Sequence, residues 1–243
     1  MELVSASLNH EIKLLHPHQA NEAGKLKQWM YERVAPYALG NILEIGSGSG
    51  NISDLFLQHK VPICLSDHDV YYCQQLRDKY ESNKNAQIIL QIDLNDQFFE
   101  ERYTDLLEQF DTIVSLNIAD HISHDRTALH NAKKLLKAGG YLIVLVPAYF
   151  ALYRELDQGF NHWHKYNIQY LQKLLGRNCT IIKTKYFNLV GIVRMFLSNT
   201  TPDENQQWNQ KNQYHELVPT FYIDDLAFKQ IGLSVIVMAE KIN

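Results

Sequence analysis

The sequence predicts a doubly wound α/β domain: a mostly parallel seven-stranded sheet with helices on both faces. Three observations predict it. Short runs that are apolar on both faces alternate with amphipathic stretches, and the first such run ends in three glycines at alternating positions, "NILEIGSGSG" (residues 41–50). The chain also has the size and composition of one domain with a sizeable core, 243 residues with 46% hydrophobic and 21% charged side chains. Strands buried on both faces need cover on both, and crossover helices provide it by burying their apolar stripes against the sheet.

Before residue 40, Leu26, Trp29, Met30, Val34 and Tyr37 recur at helical spacing, with Gly40 as the stop. This leader, residues 1–39, either packs on the domain or covers a site. From there strands and helices alternate: "NILEI" then "ISDLFLQ", "VPICLS" then "VYYCQQLRDKY", "AQIILQI" then a polar loop and "ERYTDLLEQ". "FDTIVSLN" follows, then "RTALHNAKKLLK", whose Ala128, Leu129, Ala132, Leu135 and Leu136 share a helical face, then "GGYLIVLVP". "CTIIKTKYF" and "LSVIVMAEK" read as the last two strands. The division is one domain with a ligand-binding core at 40–147 and two excursions, 148–178 and 188–233, the second holding the polar surface loop "SNTTPDENQQWNQKNQ".

Composition removes several function classes. A formal charge of −4 and no stripe of Lys or Arg argue against a nucleic-acid or anionic-membrane partner. No window offers the roughly 18 apolar residues of a membrane helix, and the first ten residues lack a secretion signal, so a cytoplasmic protein is expected. Three scattered cysteines, Cys64, Cys73 and Cys179, suit reduced thiols, and no Cys or His spacing suits a metal.

In an open α/β sheet, ligands sit beyond the carboxyl ends of the strands, beside the first one. Gly46, Gly48 and Gly50 permit positive φ and leave no Cβ between backbone and ligand. A dinucleotide fingerprint would place its third glycine at 51, where Asn51 stands, and no phosphate-binding Gly-Lys-Ser/Thr follows.

Five landmarks in order, "LEIGSGSG", "CLSD", "QID", "FDTIVSLNIADHI" and "LLKAGGYLIVLVP", resemble the class I S-adenosylmethionine-dependent methyltransferases, whose sheet is Rossmann-like. The resemblance implies S-adenosyl-L-methionine as cofactor and S-adenosyl-L-homocysteine as product. It implies that Glu44 and the backbone of Gly46, Ser47, Gly48 and Gly50 hold the amino-acid end, and that Asp67, with His68 beside it, takes the ribose hydroxyls. Asp93 would accept the adenine amino group with Leu94 against the ring, and Asn117, Ile118 and Ala119 would border the methyl group. Plainer roles compete: Glu44 as a loop brace, Asp69 in place of Asp67 because "SDHD" leaves the strand end open, and Asp93 as a turn cap.

After the fifth strand, "VPAYFALYRELDQGFNHWHKYNIQYL" is similar to a stretch of a bacterial small-molecule subgroup, "VPAxxxLYxxxDxxxGHxRRYxxxxL". The departures are Asn161 for the glycine, and His164 and Lys165 for the arginine pair, which puts bidentate gripping of an anion by that pair in doubt. Methyl transfer to oxygen needs alignment, and a base only where the acceptor keeps its proton. His162 is the first candidate base, then His164, Tyr166 and His121, with Asp157 or Asp120 to orient an imidazole. "HWHKY" as a packing corner is the competing reading.

The expectation is therefore an S-adenosylmethionine-dependent methyltransferase, monomer or homodimer, acting on a small, partly apolar or aromatic molecule, with O-methylation favoured over nitrogen or carbon. A silent cofactor-binding module and an NAD-dependent reductase are the rivals. The second lacks its glycine spacing and a Tyr-x-x-x-Lys pair at the active edge.

Overall fold

A computed structural model of the chain describes residues 27, 28, 30–116, 124–147, 166–176, 178–187 and 234–242. The strands are β1 (Ile42–Ile45), β2 (Ile63–Asp67), β3 (Ala86–Gln91), β4 (Phe110–Leu116), β5 (Leu136–Pro147), β6 (Cys179–Phe187) and β7 (Ser234–Lys241). The helices are α1 (Ser53–Gln58), α2 (Val70–Tyr80), α3 (Phe99–Arg102), α4 (Asp125–Leu135) and α5 (Ile168–Leu175). The strands form one seven-stranded sheet in the order β3-β2-β1-β4-β5-β7-β6. Pairings from β3 through β5 are parallel, and β7 runs antiparallel to β5 and β6. The mostly parallel, doubly wound reading holds.

Two apolar layers sandwich the sheet. One joins Met30 and Val34 of the leader to Phe56 of α1 and Leu76 of α2, and the other joins Phe99 to Leu129 and Leu135 of α4 and to Leu171 and Leu174 of α5. Ile113, at the middle of β4, has no exposed surface. Ile113→Ala should cost about 2–5 kcal/mol, because the packed surroundings cannot close over the lost volume. A urea denaturation midpoint checks this.

The elements depart from the sequence reading in four places. β3 is an edge strand of the described sheet, half open to solvent with Ile88 exposed, because no described strand pairs beyond it. The helix expected over 101–109 is one turn of α3 followed by a 3-10 turn, Thr104–Leu106, and the Thr104 hydroxyl turns back onto the carbonyls of Glu100 and Glu101. The fifth strand starts three residues before Gly139, since buried Leu136 is already extended and pairs with Phe110. Finally, residues 168–175, grouped with the excursion in the sequence, form α5, capped by the Asn167 side chain and buried through Leu171, Leu174 and Leu175.

The leader's residues 30–38 pack as part of the core, with Tyr31 edge-on to Phe56 and stacked on His59. No helix among the described residues is long and apolar enough to cross a membrane. The three cysteines are free and buried.

Candidate functional site

β1 lies between β2 and β4, so the chain's path reverses direction across the sheet at β1. The crevice beyond the ends of β1 and β4 is where such sheets bind ligands. The glycine loop lies at that point. The amides of Gly46 and Ser47 both donate to the Ser66 carbonyl of β2, at 2.7 and 2.8 Å, which folds the loop over the end of the neighbouring strand. The Gly48 amide then donates to Asp67 Oδ2 at 3.0 Å. All three glycines have positive φ, at 71°, 51° and 79°. Their surroundings differ: among the described residues nothing lies within 4 Å of a Cβ at 48, whereas one at 50 would collide with the Tyr80 hydroxyl. Only Gly48 of these two therefore presents bare backbone to a ligand.

Asp67 ends β2 and is buried. Besides Gly48, its carboxylate accepts the Asp69 amide at 3.0 Å and faces His68 Nδ1 at 3.2 Å, both on Oδ1. Burial pushes its pKa up, but the hydrogen bonds from His68 and the two amides outweigh burial and hold it below the usual carboxylate range. The bond to Asp67 raises the pKa of His68, against partial burial, and its ring is mostly solvent-facing. Asp69 caps α2 instead, accepting the Tyr71 amide at 2.8 Å. The two carboxylates of "SDHD" thus divide between loop and helix, and Asp67 is the one beside the glycines.

Glu44 lies within β1, almost wholly buried, and its Oε2 accepts the hydroxyls of Ser47, at 3.1 Å, and Ser53. Burial, with the nearby charges of Asp54 and Asp67, pushes its pKa up to about 7 against the pull of the two serines. In this position Glu44 ties the loop to the first turn of α1. Asp93 is exposed and caps a turn, accepting the Asn95 amide at 2.8 Å, and the Leu94 side chain is in the core with its carbonyl held by Asn131.

Tyr166 is fully buried and donates to Asp125 Oδ2 at 3.3 Å, beside the Tyr170 hydroxyl at 3.0 Å on the same oxygen. Asn117, Ile118, Ala119, His121, His162 and His164 lie outside the described residues. Among the described residues, no group of three His, Cys, Asp or Glu side chains could hold a metal ion. Sequence reasoning missed Ser53, Tyr80 and Lys79. The last two reach the loop from α2, and Lys79 Nζ donates to the Ser49 carbonyl at 3.0 Å.

Residues 43–142 match the family model described as a methyltransferase domain. The match covers less than half of the chain, and the strand order is that of the class I methyltransferase fold. The chain is 25% identical over 114 residues, 45% of its length, to the PKS-NRPS hybrid synthetase cheA of Chaetomium globosum, and the match spans about 2% of that relative's length. Among solved structures, an S-adenosylmethionine-dependent methyltransferase from Clostridium acetobutylicum superposes with a TM-score of 0.56 at 12% identity, over 90% of this chain and 92% of that one. A Haloferax volcanii protein solved with the Trm112 methyltransferase activator gives a TM-score of 0.61 at 14% identity, covering 98% and 94%. At such identities these two likenesses are likenesses of fold.

The loop's own residues fit S-adenosylmethionine, the cofactor that the resemblance implies. The open side of Gly48 leaves room for close backbone approach, and the ionised Asp67 is an acceptor suited to a sugar diol.

Proposed function

We propose that this protein is an S-adenosylmethionine-dependent methyltransferase that methylates a small molecule, with a hydroxyl or carboxylate oxygen as the favoured acceptor. The observation that carries the reading is the pairing of an open, positive-φ Gly48 with an ionised Asp67 that accepts its amide. When bound, the cofactor supplies an electrophilic methyl group on a sulfonium. Asp67 grips the ribose hydroxyls, with His68 at its flank, while the backbone of Gly46, Ser47 and Gly48 lies along the methionine portion. Glu44 braces the loop through Ser47 and Ser53, the role its burial favours. Asp93 and Leu94 border the adenine through the loop that leaves β3, and Asn117 and Ile118 border the methyl group.

The acceptor side belongs to residues beyond β4 and β5. His162, His164 and His121 are the proposed bases, since an imidazole accepts a proton near neutral pH. The Tyr166 hydroxyl is engaged by Asp125, which supports an anchoring role for it at the point where that excursion rejoins the domain. A small, partly apolar acceptor accords with the aromatic residues of the excursions, and the net charge of −4 argues against nucleic acid. The protein works in the cytoplasm as a monomer or homodimer.

Two measurements test this. Calorimetry should show S-adenosylhomocysteine binding, and labelled methyl transfer to a panel of small hydroxy and carboxylic acids should exceed transfer to matched amines. NAD binding without any response to S-adenosylhomocysteine would overturn the reading, and binding without turnover on any acceptor would favour a silent module. His162→Ala should leave S-adenosylhomocysteine affinity within about twofold and lower turnover about a hundredfold, the typical worth of a positioned base.

A further inference from the structure

A run of Gly-Ser-Gly-Ser-Gly has little shape of its own. Ordering each backbone residue costs roughly 1–2 kcal/mol, and glycine loses the most. A loop that is ordered only when its ligand arrives takes that cost out of affinity. The inner edge of this loop is held by Ser66 and Asp67. The outer edge is held by the last turn of α2.

Two adjacent residues do this. Lys79 Nζ donates to the Ser49 carbonyl at 3.0 Å and pairs with Asp54 Oδ2 at 2.8 Å. The Tyr80 hydroxyl lies 3.0 Å from the Gly50 carbonyl and 2.8 Å from Asp54 Oδ1. Asp54 belongs to the first turn of α1, so the three side chains join the end of one helix to the start of the other across the loop. In a planar trans peptide the carbonyl and the next amide point opposite ways. Drawing the Ser49 and Gly50 carbonyls towards α2 therefore turns the Gly50 and Asn51 amides away from it. The Gly50 amide closes a turn onto the Ser47 carbonyl at 2.8 Å.

Tyr80 also crowds the third glycine. A Cβ at position 50 would overlap the Tyr80 hydroxyl and stand 3.0 Å from its Cζ, on a backbone whose φ of 79° already favours glycine. Tyr80 itself is buried, and the Gly50 carbonyl keeps a second partner in the Asp54 amide at 2.9 Å. Removing the hydroxyl leaves no orphaned backbone group, and what it releases is the loop's orientation.

We propose that Tyr80, seconded by Lys79, is a positioning residue for the cofactor, holding the outer edge of the glycine loop in its binding shape. This rests on the reading that the loop binds S-adenosylmethionine.

The test uses the full chain, calorimetry with S-adenosylhomocysteine, and steady-state methyl transfer. Tyr80→Phe should weaken binding about tenfold, the worth of one net hydrogen bond, with the cofactor KM rising alike and kcat at saturating cofactor within about twofold. Gly50→Ala should abolish measurable binding with or without Tyr80→Phe, since the φ of 79° strains an alanine and the ring carbons at 3.0 and 3.1 Å remain. A purely structural role predicts a lower urea midpoint for Tyr80→Phe with the affinity of the folded protein unchanged. Should Tyr80→Phe fail to fold, Lys79→Met, at a half-exposed site, should weaken binding about threefold, again a fraction of one hydrogen bond. Wild-type affinity in the folded variants overturns the positioning role while leaving cofactor binding intact. A wild-type chain that binds no S-adenosylhomocysteine overturns the function and the positioning role together.

Discussion

Asp67→Ala should weaken S-adenosylhomocysteine binding at least tenfold, and as much as about a hundredfold, by calorimetry. A hydrogen bond to a charged group contributes about 1.5–3 kcal/mol, and this carboxylate both organises the loop and, on the proposed reading, meets the ribose. Alanine also strips the acceptor from the amides of Gly48 and Asp69 and from His68. Asp67→Asn separates the two contributions. Its single amide oxygen can still accept one of those amides, so the loop keeps part of its shape while the charged grip is lost, and affinity should fall between the wild-type and alanine values. The pH dependence has a definite sign. Because the folded pKa of Asp67 is depressed, its stabilising contribution is complete above the ordinary aspartate range and is lost only as pH falls through the lower folded value. Binding should therefore not weaken through Asp67 between pH 8 and 5. Wild-type affinity in Asp67→Ala would remove this residue from the cofactor site.

The parts legible in the sequence were those encoded locally. β1, β2 and β4 read as buried strands because consecutive apolar residues leave no solvent face, and the glycines marked the end of the first. β3 has the same composition yet is open on one edge, and nothing in "AQIILQ" says whether another strand will lie beside it. Asp67 and Asp69 could not be told apart from spacing, since either can end a strand, and the start of α2 at Val70 decides it by making Asp69 the cap. The Tyr80 contact with Gly50 spans 30 residues, and within α2 Tyr80 reads only as one more apolar-face position. Likewise, two ordinary serines gave no sign that they would meet on one oxygen of Glu44. Strand identity comes from local composition, whereas the bracing of the loop comes from how two helices approach it.

Glu44→Gln should remove a pH dependence of stability that the wild type shows between about pH 4.5 and 7. The folded pKa of Glu44 is about 7 against an ordinary 4.5, raised first by burial. Between those values the folded chain holds a proton that the unfolded chain has released, so stability falls as pH rises through the window and levels off above it. A displacement of that size corresponds to about 3 kcal/mol. Asp67 acts in the opposite direction and below this range, and it is common to both proteins, as is the elevated His68. Subtracting the glutamine variant's urea-derived stabilities from those of the wild type at each pH therefore isolates Glu44. The difference should favour the wild type more at pH 5 than at pH 8, by about 3 kcal/mol. Parallel curves would mean that Glu44 stays ionised throughout, its charge met by the hydroxyls of Ser47 and Ser53. In that case Ser53→Ala, which removes one of those donors, should restore the slope by making the buried charge costlier to keep.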